Sequence, residues 1–168
     1  MSPDTPVLHM MCGKIAAGKS TLSAKLCQAE KTVLIAQDDW LAALYSDQLA
    51  TGQDYLRSSE RLAKIMAPHV SELLKAGVSV VLDFPANTPQ QRAWMRDVIA
   101  TNGARHQMHV LDAPDAVCLK RLKARNATGM HAFSVTEEMF HAFTRHYAPP
   151  GTEEGFNIVL HKVTGSEG

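Results

Sequence analysis

No stretch of this sequence is apolar for long enough to span a membrane, and neither sign of charge prevails: 17 Lys and Arg balance 17 Asp and Glu. That balance removes the long-range pull a basic chain exerts on nucleic acid or anionic lipid, although positive charge gathered in one cleft could still hold a nucleic-acid end. Cysteine is scarce. Cys12, Cys27 and Cys118 are too scattered for a disulfide scaffold and form no C-x-x-C pair, so they are expected to be small buried thiols in a reducing compartment. The opening MSPDTPVLHMM has no basic segment followed by an apolar one. A cytoplasmic location is expected, with no membrane partner. His131, His141 and His146 lack the spacing of a zinc site. No internal repeat or low-complexity tract occurs.

What is present reads as one domain over residues 1–168, a length that buries its own core without staples. Short apolar, β-branched runs predict strands at 7–12, 31–37, 78–84, 106–112 and 155–163. Helical patterns fill the gaps, at 19–30 and, longest of all, about 54–76, where Pro68 is expected to kink or divide the helix and Gly77 to end it. Strands alternating with helices imply right-handed crossovers and a mostly parallel sheet with helices on both faces. In such sheets chemistry gathers beyond the carboxyl ends of the strands. Gly13, Asp38, Asp83 and Asp112 each follow an apolar run there.

The most specific motif is Gly13-Lys14-Ile15-Ala16-Ala17-Gly18-Lys19-Ser20, which fits G-x-x-x-x-G-K-[ST] in full and lies between a predicted strand and a predicted helix. The glycines let the chain turn tightly while backbone amides converge on an anion, and the new helix adds its unpaired N–H groups. Residues 13–20, with Thr21, are therefore the candidate cradle for a nucleoside triphosphate. Lys19 would reach the β- and γ-phosphates, and Ser20 would offer its hydroxyl to Mg²⁺. Lys14 could equally be a solvated side chain. A guanine-reading N-K-x-D stretch is absent, which favours ATP.

Carboxylates and arginines complete the set. Asp38, beyond the second strand, could accept a proton from an attacking hydroxyl; Asp39 could join it at the substrate, or either acid could cap the helix WLAALY. Asp83 ends the third apolar run and could serve the Mg²⁺ shell. Asn87 follows as a candidate substrate contact, Arg92 could clamp substrate or support the loop, and Thr88 is a candidate helix cap. Arg121 and Arg125 share a helix face and could meet a transferring phosphoryl group when a lid over about 121–136 closes; Ser134 and Glu137 fit a capping box for the helix beyond. Tyr45, Tyr55 and Arg57 are candidate pocket residues.

GKIAAGKST, AQDDWL, VVLDFPANTPQQRAW and CLKRLKARN, in that order, resemble the small P-loop kinases of the zeta-toxin and chloramphenicol-phosphotransferase type, which have an AAA_33-type ATP-binding domain, and the kinase domain of polynucleotide kinases. The resemblance spans roughly residues 7–160. It implies a three-layer α/β fold with a five-stranded parallel sheet in the order 2-3-1-4-5. It also implies ATP and Mg²⁺, Asp38 as the residue that activates the hydroxyl, and lid arginines at Arg121 and Arg125. The relatives phosphorylate antibiotics, sugars, sugar nucleotides and nucleic-acid ends, so the acceptor stays open. A small hydroxylated molecule is expected, with a nucleoside or 5′-hydroxyl nucleic acid as the alternative and a nucleotide-binding regulatory protein as another. The expected state is a monomer.

Overall fold

The computed structural model describes residues 5–129 and 135–164. Five strands form one parallel sheet in the order β2-β3-β1-β4-β5: β1 is Val7–Gly13, β2 Thr32–Ala36, β3 Ser79–Pro85, β4 Arg105–Asp112 and β5 Ile158–Lys162. The helices are α1 (Lys19–Leu26), α2 (Gln37–Tyr45), α3 (Gly52–Lys75), α4 (Pro89–Asn102), α5 (Asp115–Thr128) and α6 (Glu137–Arg145). All three central strands bury apolar side chains on both faces, as a sheet covered on both sides requires.

Alternation along the strands divides the interior in two. Leu8, Met10 and Cys12 of β1, with Val80, Leu82 and Phe84 of β3, join α2, α3 and α4 in the larger core. The opposite face carries a smaller cluster, in which Ala17 and Leu111 meet Cys118 and Leu122 of α5 and Phe140 of α6. Within α3, Ser58, Leu62, Met66, Val70 and Leu74 recur every four residues and form the buried stripe. Thr51 and Asp54 close a capping box at its start. At its end the amides of Val78 and Gly77 bond the carbonyls of Leu73 and Leu74, with Gly77 at φ 84°, a left-handed turn only glycine takes without strain.

Several expectations are corrected. Pro68 does not divide α3, which runs unbroken from Gly52 to Lys75. The first helix stops at Leu26 rather than near residue 30, because the amides of Gln28 and Ala29 tighten to carbonyls three residues back. That leaves Cys27 half-buried at the helix end, while Cys12 and Cys118 are buried as expected. Neither Asp38 nor Asp39 caps a helix: α2 starts earlier, at Gln37, and both acids sit in its first turn, where the helix dipole favours them. Thr88 does cap α4, accepting from the Gln91 amide. Ser134, like Met130, His131 and Phe133, lies outside the described residues, and the cap of α6 is Thr136, whose hydroxyl accepts from the Met139 amide.

A row of three histidines crosses the sheet. His9 Nδ1 lies 3.0 Å from His109 Nε2, and His109 Nδ1 lies 2.9 Å from His161 Nε2. Each contact needs one proton, so neutral His109 donates at one nitrogen and accepts at the other, and the tautomers align along the row. Burial first, then the neighbouring imidazoles, push His109 down to about 4; burial and Arg105 lower His9. Their folded values are depressed, so the stabilisation is complete above the unfolded value of 6.5 and is lost as pH falls towards 4. Denaturant unfolding should therefore show stability declining between about pH 6.5 and 4. His109→Leu should flatten that slope, and an unchanged slope would contradict the account.

Candidate active site

Between β1 and α1 the chain forms a tight loop whose geometry depends on its glycines. A Cβ on Gly13 would lie 3.2 Å from the Leu111 Cβ and 3.3 Å from the Ala17 Cβ, too close without a shift of packed atoms. Gly18 has φ 110°, open to glycine alone. Ala16 is itself left-handed, at φ 65°, which costs about 1 kcal/mol and turns successive amides inward. The Ala17 amide bonds the Lys14 carbonyl at 3.0 Å, and the helix begins with Leu22 N–H on the Gly18 carbonyl. Asn87 supports the loop from outside, its Oδ1 accepting from the Gly13 amide at 2.8 Å.

This loop forms one wall of a cleft of about 1460 Å³. Ile15, Ala16, Ala17, Gly18, Lys19, Ser20 and Thr21 line it, together with Asp38, Asp39, Asp83, Asn87, Arg121 and Arg125. Drug-sized ligands occupy sites of roughly 300–1,000 Å³, so the cleft has room for two ligands side by side.

Lys19 folds back onto the loop, donating to the carbonyls of Gly13 and Lys14. Burial lowers its pKa, and the nearby Asp83 carboxylate opposes that. The Ser20 hydroxyl donates to Asp83 Oδ2 at 2.8 Å, and burial raises the Asp83 pKa against this bond and Lys19. The register between β1 and β3 jumps here, from Met10↔Leu82 to Met11↔Pro85, which leaves Asp83 without a partner on β1.

Across the cleft, Asp38 is exposed but held. The Tyr55 hydroxyl donates to Asp38 Oδ1 at 3.0 Å and accepts from Gln37 Nε2 at 2.8 Å. Burial, and then the Asp38 charge, push the Tyr55 phenol well above its ordinary pKa, so it keeps the proton it donates. From α5, Arg121 Nη1 donates to the Ala17 carbonyl at 3.3 Å. The Nε of Arg125 is buried with no hydrogen-bond partner among the described residues, an arrangement that costs about 1–3 kcal/mol unless an anion completes it.

Two predicted contacts point elsewhere. Lys14 turns its ammonium away from the cleft, to Asp115 Oδ1 at 2.7 Å and the Ala113 carbonyl at 3.2 Å, so it can serve the loop only through its backbone. Arg92 is 1% exposed, its guanidinium is committed to Glu154 and to the Ala86 and Ala148 carbonyls, and it does not line the cleft. Of the three pocket candidates, only Tyr55 lines the cleft: Arg57 pairs with Asp54 at 2.7 Å, and Tyr45 packs on the larger core.

A strand, a cradle of amides, a lysine and a hydroxyl beside a strand-end carboxylate are the parts of a P-loop, and the family model AAA_33, described as an AAA domain, matches residues 8–150. The chain belongs to the AAA_33 family. Three solved structures share the fold of this AAA_33 domain. Kti12 of Chaetomium thermophilum, in complex with ADP-AlF3, is 10% identical with a TM-score of 0.70, over 97% of this chain and 91% of that one. A sugar kinase from Janibacter sp. is 14% identical at 0.62, over 94% and 85%. The Mycobacterium tuberculosis APS kinase CysC, in complex with AMPPNP and APS, is 19% identical at 0.60, over 99% and 92%. No curated protein matches the chain. Among the described residues, no helix of this AAA_33 domain is long and apolar enough to cross a membrane.

Proposed function

We propose that the protein transfers the γ-phosphoryl group of ATP to a hydroxyl of a small-molecule acceptor. The observation that carries this reading is the placement of Asp38 across one cleft from Lys19, Ser20 and Arg125, whose buried Nε has no hydrogen-bond partner among the described residues. The amides of the loop and α1 would seat the β- and γ-phosphates, with Lys19 exchanging its backbone carbonyls for phosphate oxygens. Ser20 and Asp83 offer hard oxygen donors suited to Mg²⁺, which is usually held by one or two protein oxygens with phosphates and water. When bound, Mg²⁺ would offset phosphate charge. Asp38 would take the proton of the acceptor hydroxyl as that oxygen bonds to phosphorus and the bond to ADP breaks. Arg121 and Arg125, as parts of a lid, would meet the charge on the moving phosphoryl group.

Titration of ¹⁵N-labelled protein with magnesium–ATP tests the first half. The amides of residues 16–20 should shift, together with the Arg125 Nε–H resonance. A titration that leaves all of these in place would remove the basis of the proposal.

A further inference from the structure

The two walls of the cleft differ in charge. Lys19, Lys25, Arg121 and Arg125 line the side formed by the loop, α1 and α5. The side formed by α2, α3 and the start of α4 has no Lys or Arg among its lining residues but carries Asp38, Asp39 and Glu60, while Asp83 stands between the two sides, bonded by Ser20, and His146 lines the cleft two residues before the Ala148 amide that bonds the Asn87 carbonyl. The cations of α3 nearest Glu60 in sequence, Arg57, Arg61 and Lys64, do not line the cleft, and Arg57 is held by Asp54. The rest of this wall is apolar or neutral. Leu49, Leu56, Ala63 and Trp94 present hydrocarbon, with the Trp94 ring set edge-on to Phe84 at 5.6 Å, while Ser59 and Gln90 offer uncharged hydrogen-bonding groups. Leu56 is 45% exposed, an apolar side chain left facing the cleft.

We infer that the acceptor is a neutral or cationic alcohol with an apolar or aromatic body, lying against Leu56 and Trp94 with its hydroxyl at Asp38, and that anionic acceptors, including nucleotides and oligonucleotides, are rejected. This rests on the phosphotransfer reading above and narrows its acceptor. A second anion on this wall would face Asp38, Asp39 and Glu60 with no Lys or Arg beside them among the wall's lining residues, and such like-charge juxtaposition disfavours binding. A cation would gain from Glu60 and Asp39, and an apolar body from the leucines and tryptophan. The cationic wall is matched to the triphosphate alone, so each ligand is directed to its own side.

The test pairs phenylalkyl alcohols and aromatic amino alcohols with aromatic hydroxy acids, nucleoside 3′-monophosphates and 5′-hydroxyl oligonucleotides. Acceptor-stimulated ADP release is read beside Trp94 fluorescence in a Trp40→Phe background, with magnesium–ATP affinity measured separately. Release and quenching should be confined to the neutral and cationic members. Glu60→Lys should weaken the amino alcohols at least tenfold while the neutral alcohols change less. Stimulation by the hydroxy acids, nucleotides or oligonucleotides, selectivity unmoved by Glu60→Lys, or a panel that leaves Trp94 unquenched would each overturn the inference. Intact ATP binding beside any of these confines the failure to the acceptor; absent ATP binding sinks the phosphotransfer reading itself.

Discussion

Asp38→Asn is expected to lower acceptor-dependent turnover by about 10²- to 10⁴-fold, the usual contribution of a positioned general base, while leaving magnesium–ATP affinity unchanged. The change is nearly isosteric. Its amide oxygen can still accept from Tyr55, whose hydroxyl lies 3.0 Å from Asp38 Oδ1, so the local network survives. What goes is the group able to take a proton. Asp38 makes no hydrogen bond to the phosphate loop, which separates the two readouts: the loop and Lys19 would hold ATP as before. Steady-state kinetics beside calorimetric ATP binding make the comparison. Equal losses in both would show that Asp38 holds the site together rather than serving the reaction, and full turnover would remove it from the mechanism.

Arg92→Ala should be the most damaging single change to stability, by about 3–5 kcal/mol, because it leaves a carboxylate and two carbonyls without their buried partner. In a domain of this size that lowers the melting temperature by roughly 6–20 °C. Arg92 bonds Glu154 through Nε and Nη2 at 2.8 and 3.0 Å, and bonds the Ala86 and Ala148 carbonyls through Nη1 at 2.9 and 2.7 Å. It thus ties α4 to the segment that leads into β5. Arg92→Lys keeps the charge but not the fork and should recover only part of the loss. The Arg92 hydrogen bonds hold the Glu154 carboxyl below its ordinary value of 4.5. The pair's contribution is therefore full above that value and is lost as pH falls through the depressed one. Thermal denaturation at neutral and acid pH should show the wild type converging on the Arg92→Ala variant in acid. A variant as stable as the wild type at neutral pH would contradict the assignment.

The strands and the phosphate loop were legible because both are written locally, whereas the sheet order came from the family resemblance. Gly13 and Gly18 sit where a packed neighbour and a left-handed turn demand them, and the alternation in β1 and β3 names each face. Arg92 could not be told from a substrate contact because its partner, Glu154, is 62 residues away and leaves no periodic trace. The same holds for Asn87. It was expected at the substrate, but its Oδ1 is spent on the Gly13 amide, 74 residues distant, although its side chain still borders the cleft. Tyr55 was legible as a pocket residue but not as the anchor of Asp38, since nothing in DYLRSSER distinguishes a hydroxyl that bonds a carboxylate from one in solvent. Lys14 was ambiguous for the opposite reason: the motif demands its backbone, and only the position of Asp115 decides its side chain.

The interior is divided unequally between the two faces of the sheet, and α5 and α6 rest on the lesser share. Local opening is cheapest where the least apolar surface is buried. Mild heating should therefore disarm the molecule before it melts: the arginine-bearing side loosens while α3 and the central strands still hold. Its working temperature is set by that thinner half, and activity lost there should return on cooling.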